Sequence, residues 1–342
     1  MKVSFKNDYS EGCNPRILEA LTKTNLEQQD GYGLDQYCIN ATELINSKCN
    51  SPSSTVHFVS GGTQANLLVI SSALRPYESV IAATTGHIYT NEAGAIEATG
   101  HKVNAIATED GKLTMDHISE VLNGHQNTPH VLKPRMVYIS NATEIGTFYT
   151  KEELQSLYKY CKENGLYLFM DGARLGSGLM ASTSNLSLED VAKYTDVFWL
   201  GGTKNGALIG EAIVINHEDL QSDFEFHLKQ KGAMLSKGRL LGIQFNELLK
   251  DDLYFDLAKH ANIQAMKMKD ALLSKGYLFL SETYTNQIFP ILPNSIIEKL
   301  SKDFDFHVWK KINESTSAIR LIASWATTDE QVKAFLKALY TL

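Results

Sequence analysis

Short apolar runs alternate with segments of helical periodicity through the first half of this 342-residue chain, and this alternation restricts the fold more than any other feature. The apolar runs span residues 55–59, 79–83, 102–107, 136–140, 166–170 and 196–200. Helical patterns lie at residues 64–74, 114–125 and 151–165. Parallel strands are joined through crossover helices and are buried on both faces, so they lack polar alternation. The pattern therefore predicts an α/β fold with a mostly parallel sheet flanked by helices.

The pattern changes near Gly238. A long helical stretch covers residues 239–276, and short strand and helix patterns follow it as far as residue 339. We therefore expect two domains: an N-terminal segment with a large α/β domain at residues 1–240, and a smaller C-terminal α+β domain at residues 241–342. Asn14 followed by Pro15 also predicts the start of a helix, because asparagine caps helices and proline suits the first helical position.

Charge and cysteine content exclude several classes of protein. The net charge is −7, and no basic tract is longer than Lys310-Lys311, which argues against a nucleic-acid partner. The apolar runs are too short to cross a membrane, and the first residues lack the apolar core of a signal peptide. Four cysteines without paired spacing do not indicate a disulfide framework or a metal site. We therefore expect a cytoplasmic protein with reduced thiols and no metal.

Three chemically distinct features follow predicted strands. A Ser-Gly-Gly-Thr turn at residues 60–63 opens a helix, Asp171 ends the run at 166–170, and Lys204 lies in a glycine-rich turn after the run at 196–200. Ligands of open parallel sheets bind at the carboxyl ends of the strands. We expect these three features to meet there.

Each feature has a role in holding pyridoxal phosphate. A glycine turn at a helix N-terminus can bind the phosphate through free N–H groups. Desolvation in a tight turn lowers the pKa of a lysine, so Lys204 can form a Schiff base. Asp171 can pair with the pyridinium nitrogen. A buried carboxylate needs a cation or several hydrogen-bond donors, and Arg174 is one candidate partner. A purely structural ion pair between the two is the alternative.

The chain resembles the threonine aldolase and β-eliminating lyase branch of the fold-type-I pyridoxal phosphate enzymes, which share the aspartate aminotransferase-like fold. The segments that carry the resemblance are NDYSEGCNPRILEAL, DGYGLD, FVSGGTQANLLVI, GHIYTNEAGAIEATG, MDGARLGSGL, the lysine turn and IRLIASWATTDEQV. They cover nearly the whole chain in the order of the family.

The resemblance implies a role for each matching residue. It makes Lys204, His87 and Asp171 catalytic residues, with His87 stacked on the cofactor ring, and we expect Glu144, which departs from the family pattern, to be a fourth. The residues that it assigns to the cofactor are Gly62, Thr63, His87, Asp171, Arg174, Thr203 and Lys204. Those that it assigns to the substrate are Tyr32, Arg174 and Arg320, with Tyr32 reaching a neighbouring subunit's site and Arg320 clamping the carboxylate. We expect Asn7 to join them in place of the family's serine. Glu92 and Glu97 are interpreted as helix-face or capping residues.

Three positions depart from the family pattern. Glu144 follows Thr143 where aldolases of this type have a histidine, and Asn7 stands where a serine is expected. The segment GAMLSKGRLLG replaces a glycine-rich Arg-Gln segment, so Lys237 or Arg239 is expected to supply the missing charge. These departures lie where the substrate and the phosphate would bind.

The resemblance implies a lyase that cleaves a small β-hydroxy-α-amino acid, with L-threonine or L-allo-threonine giving glycine and acetaldehyde. Glu144, His87 or a water molecule between them is the expected base. The alternatives are a β-eliminating lyase or another amino-acid enzyme on the same scaffold, and a non-catalytic protein that kept the fold. A site that needs residues of a second chain further implies a homodimer or homotetramer.

Overall fold

The computed structural model describes residues 2–341. Its strands are β1 (Val3–Ser4), β2 (Thr55–Val59), β3 (Glu78–Ala83), β4 (Val103–Ile106), β5 (Lys133–Ser140), β6 (Tyr167–Asp171), β7 (Val197–Gly201), β8 (Glu211–Ile215), β9 (Leu278–Phe279), β10 (Gln287–Ile288), β11 (Pro290–Pro293), β12 (Phe304–Asp305), β13 (His307–Lys311) and β14 (Thr316–Ile322). Its α-helices are α1 (Pro15–Thr24), α2 (Gln36–Lys48), α3 (Gly62–Ala73), α4 (His87–Thr90), α5 (Met115–Gly124), α6 (Lys151–Glu163), α7 (Leu175–Leu179), α8 (Leu188–Lys193), α9 (Glu218–Gln221), α10 (Phe224–Gln230), α11 (Arg239–Leu249), α12 (Leu253–Ser274), α13 (Asn294–Leu300) and α14 (Asp329–Thr341). Short 3₁₀ helices lie at Glu97–Thr99 and Lys250–Asp252.

The centre of the molecule is a seven-stranded sheet in the order β2-β8-β7-β6-β5-β3-β4. The pairs from β4 to β7 are all parallel, whereas β8 runs antiparallel to both β7 and β2. The mostly parallel sheet predicted from the sequence is confirmed. Strand β8, which reverses direction between β7 and β2, was not predicted.

Helices cover both faces of this sheet, which explains why its strands are mostly apolar. Along β7, Phe198 and Leu200 belong to one buried cluster, whereas Val197 and Trp199 belong to the cluster on the opposite face. Successive side chains of a strand point to opposite faces, so a strand with two covered faces buries every side chain.

A smaller sheet follows in the chain, with β14 paired to β10, β11 and β13, and β11 paired to β9. The N-terminal segment joins this part of the molecule, because β1 pairs with β12 and Phe5 packs among Phe304 and Phe335. The division of the chain at residue 240 stays a prediction.

Helix boundaries follow local signals. Asn14 caps α1, and its side chain accepts a hydrogen bond from the N–H of Arg16. The stretch predicted as one long helix is two helices, because Asp251 and Asp252 have positive φ values of 55° and 59° that interrupt the backbone between α11 and α12. No helix within residues 2–341 is long and apolar enough to cross a membrane.

Candidate active site

A cavity of about 310 Å³ lies at the carboxyl ends of β2, β3, β5, β6 and β7. This volume is at the lower end of the range of small-ligand sites, roughly 300–1,000 Å³. The structure brings together eight of the residues predicted from the sequence in its wall: Gly62, Thr63, His87, Glu144, Asp171, Arg174, Thr203 and Lys204. The convergence expected at the strand ends is therefore present in one chain.

Lys204 lies in a turn that closes the end of β7. The N–H groups of Asn205 and Ala207 both donate to the carbonyl oxygen of Gly202, at 2.9 and 3.0 Å. The Lys204 side chain forms no ion pair with any carboxylate in the described residues. Burial, followed by the Arg174 charge, lowers the pKa of its amine, and the carboxylates Asp8, Asp171 and Glu211 oppose this shift. The pKa of Lys204 is therefore lower than that of an ordinary lysine, as a nucleophilic amine requires.

Glycine at position 172 lets the ends of β6 and β7 approach closely. A Cβ atom there would lie 1.7 Å from the carbonyl oxygen of Trp199, which no rearrangement of a side chain could relieve. The N–H of Gly201 also donates to the carbonyl of Gly172 at 3.0 Å. This contact fixes the distance between the Asp171 strand and the Lys204 turn.

Asp171 is buried and is held by hydrogen-bond donors instead of a cation. Its Oδ2 accepts from the Tyr138 hydroxyl at 2.5 Å and from Nδ2 of Asn66 at 3.1 Å, and its Oδ1 accepts from the N–H of Ala173 at 2.9 Å. Arg174, one partner considered from the sequence, pairs with a different carboxylate. Of the two ways to hold a buried carboxylate, a cation or several hydrogen-bond donors, the structure shows the second. A carboxylate can remain buried when its oxygens are hydrogen-bonded.

His87 is connected to Asp171 through two buried side chains. Its Nδ1 lies 2.8 Å from Oε1 of Glu92, and the same oxygen accepts from Nδ2 of Asn66 at 2.7 Å. Asn66 in turn reaches Asp171. The interpretation of Glu92 as a helix-face or capping residue is therefore wrong, because this carboxylate is buried and orients the imidazole of His87.

Glu144 follows β5 and faces the same cavity. Its Oε1 accepts from the Ser140 hydroxyl at 2.7 Å and from the N–H of His87 at 3.0 Å. Burial raises the pKa of Glu144, and the Asp171 charge raises it further, while these two hydrogen bonds act in the opposite direction. A carboxyl group with a raised pKa is a stronger base once ionised.

The N-terminus of α3 lies at the cavity wall. Gly61 is the N-cap residue and supplies no side-chain cap, and a Cβ atom added to it would have no neighbour within 4 Å. Thr63 is exposed on the first turn of this 12-residue helix. Across the cavity, Oγ1 of Thr203 accepts from the N–H of Gly210 at 3.0 Å. Free N–H groups with open space before them are a natural anion site.

A second group of charges lies beside Lys204. Nε and Nη2 of Arg174 donate to the two oxygens of Asp8, at 2.7 and 3.0 Å, and Nδ2 of Asn286 donates to Asp8 at 2.9 Å. Arg320, on β14, is close enough for the Arg174 charge to lower its pKa, after the larger effect of burial. Within residues 2–341 its buried Nε has no hydrogen-bond partner, although the guanidinium lies over the ring of Trp309. Such an orphaned donor suits a carboxylate ligand.

Of the four predicted substrate residues only Arg174 lines the cavity, and Arg320, Tyr32 and Asn7 do not. Tyr32 is 51% exposed, has a positive φ of 61°, and lines a different cavity beneath the ammonium group of Lys229. Oδ1 of Asn7 accepts from the N–H of Tyr9 and the hydroxyl of Ser10, which forms a local turn.

Neither basic residue expected to replace the family's lost charge reaches the cavity within this chain. Nη2 of Arg239 donates to the carbonyl of Thr24 at 2.7 Å, and Nη1 donates to the backbone carbonyl of Glu27. Lys237 is exposed. Their assignment to the phosphate stays a prediction.

Sequence reasoning missed Asp8, Asn66, Tyr138 and Glu211. Asp8 lies within the segment NDYSEGCNPRILEAL that carried the family resemblance, and this was the signal available for it. Asn66 lies on helix α3 and Tyr138 on strand β5. Both segments are mostly apolar, so these two residues looked like part of the core. Glu211 starts the unidentified strand β8.

These residues fit pyridoxal phosphate. The donor set combines an amine with a lowered pKa, a buried carboxylate and free helix N–H groups around one cavity. The open space before Gly61 leaves room for a phosphate group, and the orphaned Nε of Arg320 leaves a donor for an amino-acid carboxylate.

A family model described as beta-eliminating lyase matches residues 9–294. The low specificity L-threonine aldolase of Pseudomonas aeruginosa is 34% identical over 340 residues, which cover 96% of this chain and 94% of that protein. The corresponding protein of Escherichia coli K12 is 26% identical over 243 residues, or 70% of each chain.

Among solved structures, a Leishmania major threonine aldolase superposes with a TM-score of 0.98 at 45% identity, covering 99% of each chain. A Thermus thermophilus aspartate aminotransferase superposes with a TM-score of 0.74 at 14% identity, covering 99% of this chain and 91% of that one. The second likeness concerns the fold alone, and it confirms the predicted fold type.

Proposed function

Because this chain belongs to the β-eliminating lyase family of pyridoxal phosphate enzymes and is similar to threonine aldolases, we propose that it cleaves L-threonine and L-allo-threonine into glycine and acetaldehyde. One observation carries the proposal: Lys204, with its lowered amine pKa, shares a cavity with buried Asp171 and the open N-terminus of α3. When bound, pyridoxal phosphate supplies an aldehyde for an amine and a cationic ring that withdraws electrons from the α-carbon.

Different residues of the cavity would hold the cofactor and the substrate. Lys204 supplies the amine, and Asp171 holds a positive charge at the ring nitrogen. Gly62, Thr63 and Thr203 hold the phosphate, and His87 contacts the ring. Arg174 and Arg320 orient the substrate carboxylate, since a guanidinium pairs with a carboxylate in a fixed plane. Orientation by these two arginines selects which bond of the substrate breaks.

Glu144 is the group in this site best suited to remove the proton of the β-hydroxyl. In its ionised form it accepts that proton, the Cα–Cβ bond breaks, and the β-carbon leaves as an aldehyde. Ser140 and the N–H of His87 hold the carboxylate in place. The raised pKa makes its ionised form a better proton acceptor than an exposed glutamate.

The experiment that tests the proposed function measures products from a small panel of amino acids. Purified protein with pyridoxal phosphate should release acetaldehyde from L-threonine and L-allo-threonine, which alcohol dehydrogenase detects by NADH oxidation. A β-eliminating lyase would instead release ammonia and a 2-oxo acid, which lactate dehydrogenase detects. Release of ammonia without acetaldehyde would show that the protein catalyses β-elimination and not aldol cleavage. The absence of any product would contradict both reactions.

Replacing Glu144 by glutamine should lower kcat about 10²-fold, the usual contribution of a general base. The pKa of Glu144 is raised, so the basic form is present above that pKa and activity of the natural protein falls as pH drops through it. This acid limb of the kcat profile should disappear in Glu144→Gln. Replacing Ser140 by alanine removes a hydrogen bond that lowers the pKa, so the limb should move to higher pH. An unchanged acid limb in both variants would exclude Glu144 as the base.

We also propose that the active protein is a homodimer or homotetramer in which Tyr32 serves a neighbouring site. The support is a segment of exposed apolar side chains next to Tyr32, namely Leu26, Leu34 and Ile39. Exposed apolar residues concentrated in one segment are typical of an interface. Sedimentation of the active protein at low concentration tests this, because a monomer with full activity would contradict it. Location in the cytoplasm stays a prediction.

A further inference from the structure

Glu211 is a buried carboxyl group that the proposed reaction leaves without a role. It is the first residue of β8, where it pairs with Gly201 of β7 and with Val59 of β2. Strands β7 and β2 both end at this point, one entering the Lys204 turn and the other the glycine turn before α3. Glu211 is 5% exposed and lines the Lys204 cavity.

The Glu211 side chain contacts the lysine turn directly. Its Oε2 accepts from the N–H of Gly202 at 2.8 Å, two residues before Lys204. It forms no ion pair with a lysine or arginine in the part of the chain that the structure describes. Burial raises the pKa of Glu211 to about 7, against the opposing effects of Thr203, Gly202 and Lys204. A carboxyl group in this environment can hold or release a proton near neutral pH.

The other carboxyl groups near Lys204 are already committed. Asp8 accepts three hydrogen bonds from Arg174 and Asn286. Burial raises the pKa of Asp8, but the charges of Arg174 and Lys204, together with these hydrogen bonds, hold it below the usual value. Asp171 accepts three hydrogen bonds and faces the cofactor ring in the proposed function. Glu144 accepts hydrogen bonds from the Ser140 hydroxyl and the N–H of His87. Lys204 and Glu211, by contrast, each shift the pKa of the other and line the same cavity.

We propose that Glu211 is the proton-exchange partner of Lys204. The inference rests on the proposed function, because the Lys204 amine must lose a proton before it attacks an aldehyde. In the exchange one N–H bond of the ammonium group breaks, its electron pair stays on nitrogen, and an O–H bond forms on the Glu211 carboxylate. Because the two side chains form no ion pair, the proton passes through a bridging water molecule. The reverse transfer follows when the amine is released. The pair has no net charge in either state, so the exchange buries no additional charge.

The pair should respond to pH as a unit. The charged groups around it are Asp171 on β6, Asp8 on the N-terminal segment and Arg174 beside it. His57, on the neighbouring strand β2, is uncharged in this range because burial lowers its pKa to about 4. With Glu211 ionised, the ammonium form of Lys204 is stabilised. Without that charge, the amine loses its proton at lower pH.

The test uses Glu211→Gln, whose amide oxygen can still accept from the N–H of Gly202 but cannot titrate. Two midpoints are measured on the full-length protein. One is the absorbance titration of the holoenzyme, and the other is the pH dependence of Lys204 acetylation by acetic anhydride after the cofactor is removed, quantified by peptide mass spectrometry. Both midpoints should move down by about one pH unit, a tenfold change in amine reactivity below the midpoint.

Two variants serve as controls. Glu211→Asp keeps the charge and should leave both midpoints nearly in place, and Glu144→Gln removes a different cavity carboxylate and should not shift the acetylation midpoint. Coincident acetylation midpoints for Glu211→Gln and the natural protein would overturn the proposal. That result is distinguishable from failure of the proposed function, in which borohydride would trap no adduct at Lys204 even in the natural protein.

Discussion

Replacing Lys204 by alanine should lower kcat for threonine cleavage by about 10⁴-fold or more, as removal of a covalent nucleophile does in other enzymes. Lys204 is the residue that joins the glycine turn after β7 to the cavity shared with Asp171 and the N-terminus of α3. The amine has a lowered pKa, and the other residues that line the cavity in the described part of the chain cannot replace it because none of them is a lysine. Steady-state release of acetaldehyde measures the loss.

The same variant should lose the covalent link to the cofactor. Borohydride reduction of the natural protein, followed by peptide mass mapping, should place one pyridoxyl group on Lys204, and Lys204→Ala should carry none. Lys269 offers a matched control, because it is also buried but donates to the carbonyl of Thr283 at 2.6 Å beside another cavity. Lys269→Ala should keep the Lys204 adduct. An adduct mapped to any other lysine would exclude Lys204 as the nucleophile.

Much of the fold could be predicted because both faces of the sheet are covered. All five residues of β7 are buried, and the predicted runs at 55–59 and 196–200 coincide with β2 and β7 to within one residue. Strand β8 was missed because its residues EAIVI follow a glycine turn and begin with a glutamate, which resembles the exit of a loop. Only the pairing with β2 and β7 shows that this glutamate enters the sheet.

The residues of the site fall into two groups by how the sequence presents them. Lys204, Asp171 and the turn before α3 each follow a strand, so the rule that ligands bind at strand ends predicted their meeting. Asn66, Tyr138 and the Glu92–His87 contact depend on side chains that reach across from separate elements. No local pattern encodes such contacts, so the sequence could not show that Arg174, one candidate partner of Asp171, pairs with Asp8 instead.

Replacing Asp8 by asparagine should lower the free energy of unfolding by about 3–5 kcal/mol, the usual cost of leaving one partner of a buried ion pair without its counter-charge. The Asp8 side chain is 1% exposed and that of Arg174 is 11% exposed. Its removal leaves Arg174 close to Arg320 and Lys204, three cationic groups with one fewer carboxylate between them. Asp8 also joins separate parts of the chain, because it accepts from Arg174 beside β6 and from Asn286 beside β10.

The loss should depend on pH in a defined direction. The folded pKa of Asp8 is lowered, so its stabilising effect is complete above the unfolded value of about 4 and is lost as pH falls through the folded value. Urea unfolding of Asp8→Asn and the natural protein should therefore differ most at neutral pH and converge in acid.

Asp329 provides the matched control for this measurement, because it forms an ion pair with Lys267 at 2.6 Å on the surface. Solvent and salt screen such a pair, so Asp329→Asn should leave the urea midpoint nearly unchanged. Asp8→Asn should also raise KM for threonine, because Arg174 loses the carboxylate that fixes its guanidinium plane beside the cavity. Equal urea midpoints for Asp8→Asn and the natural protein at neutral pH would mean that Arg174 finds another counter-charge, and the buried pair would then have no structural role.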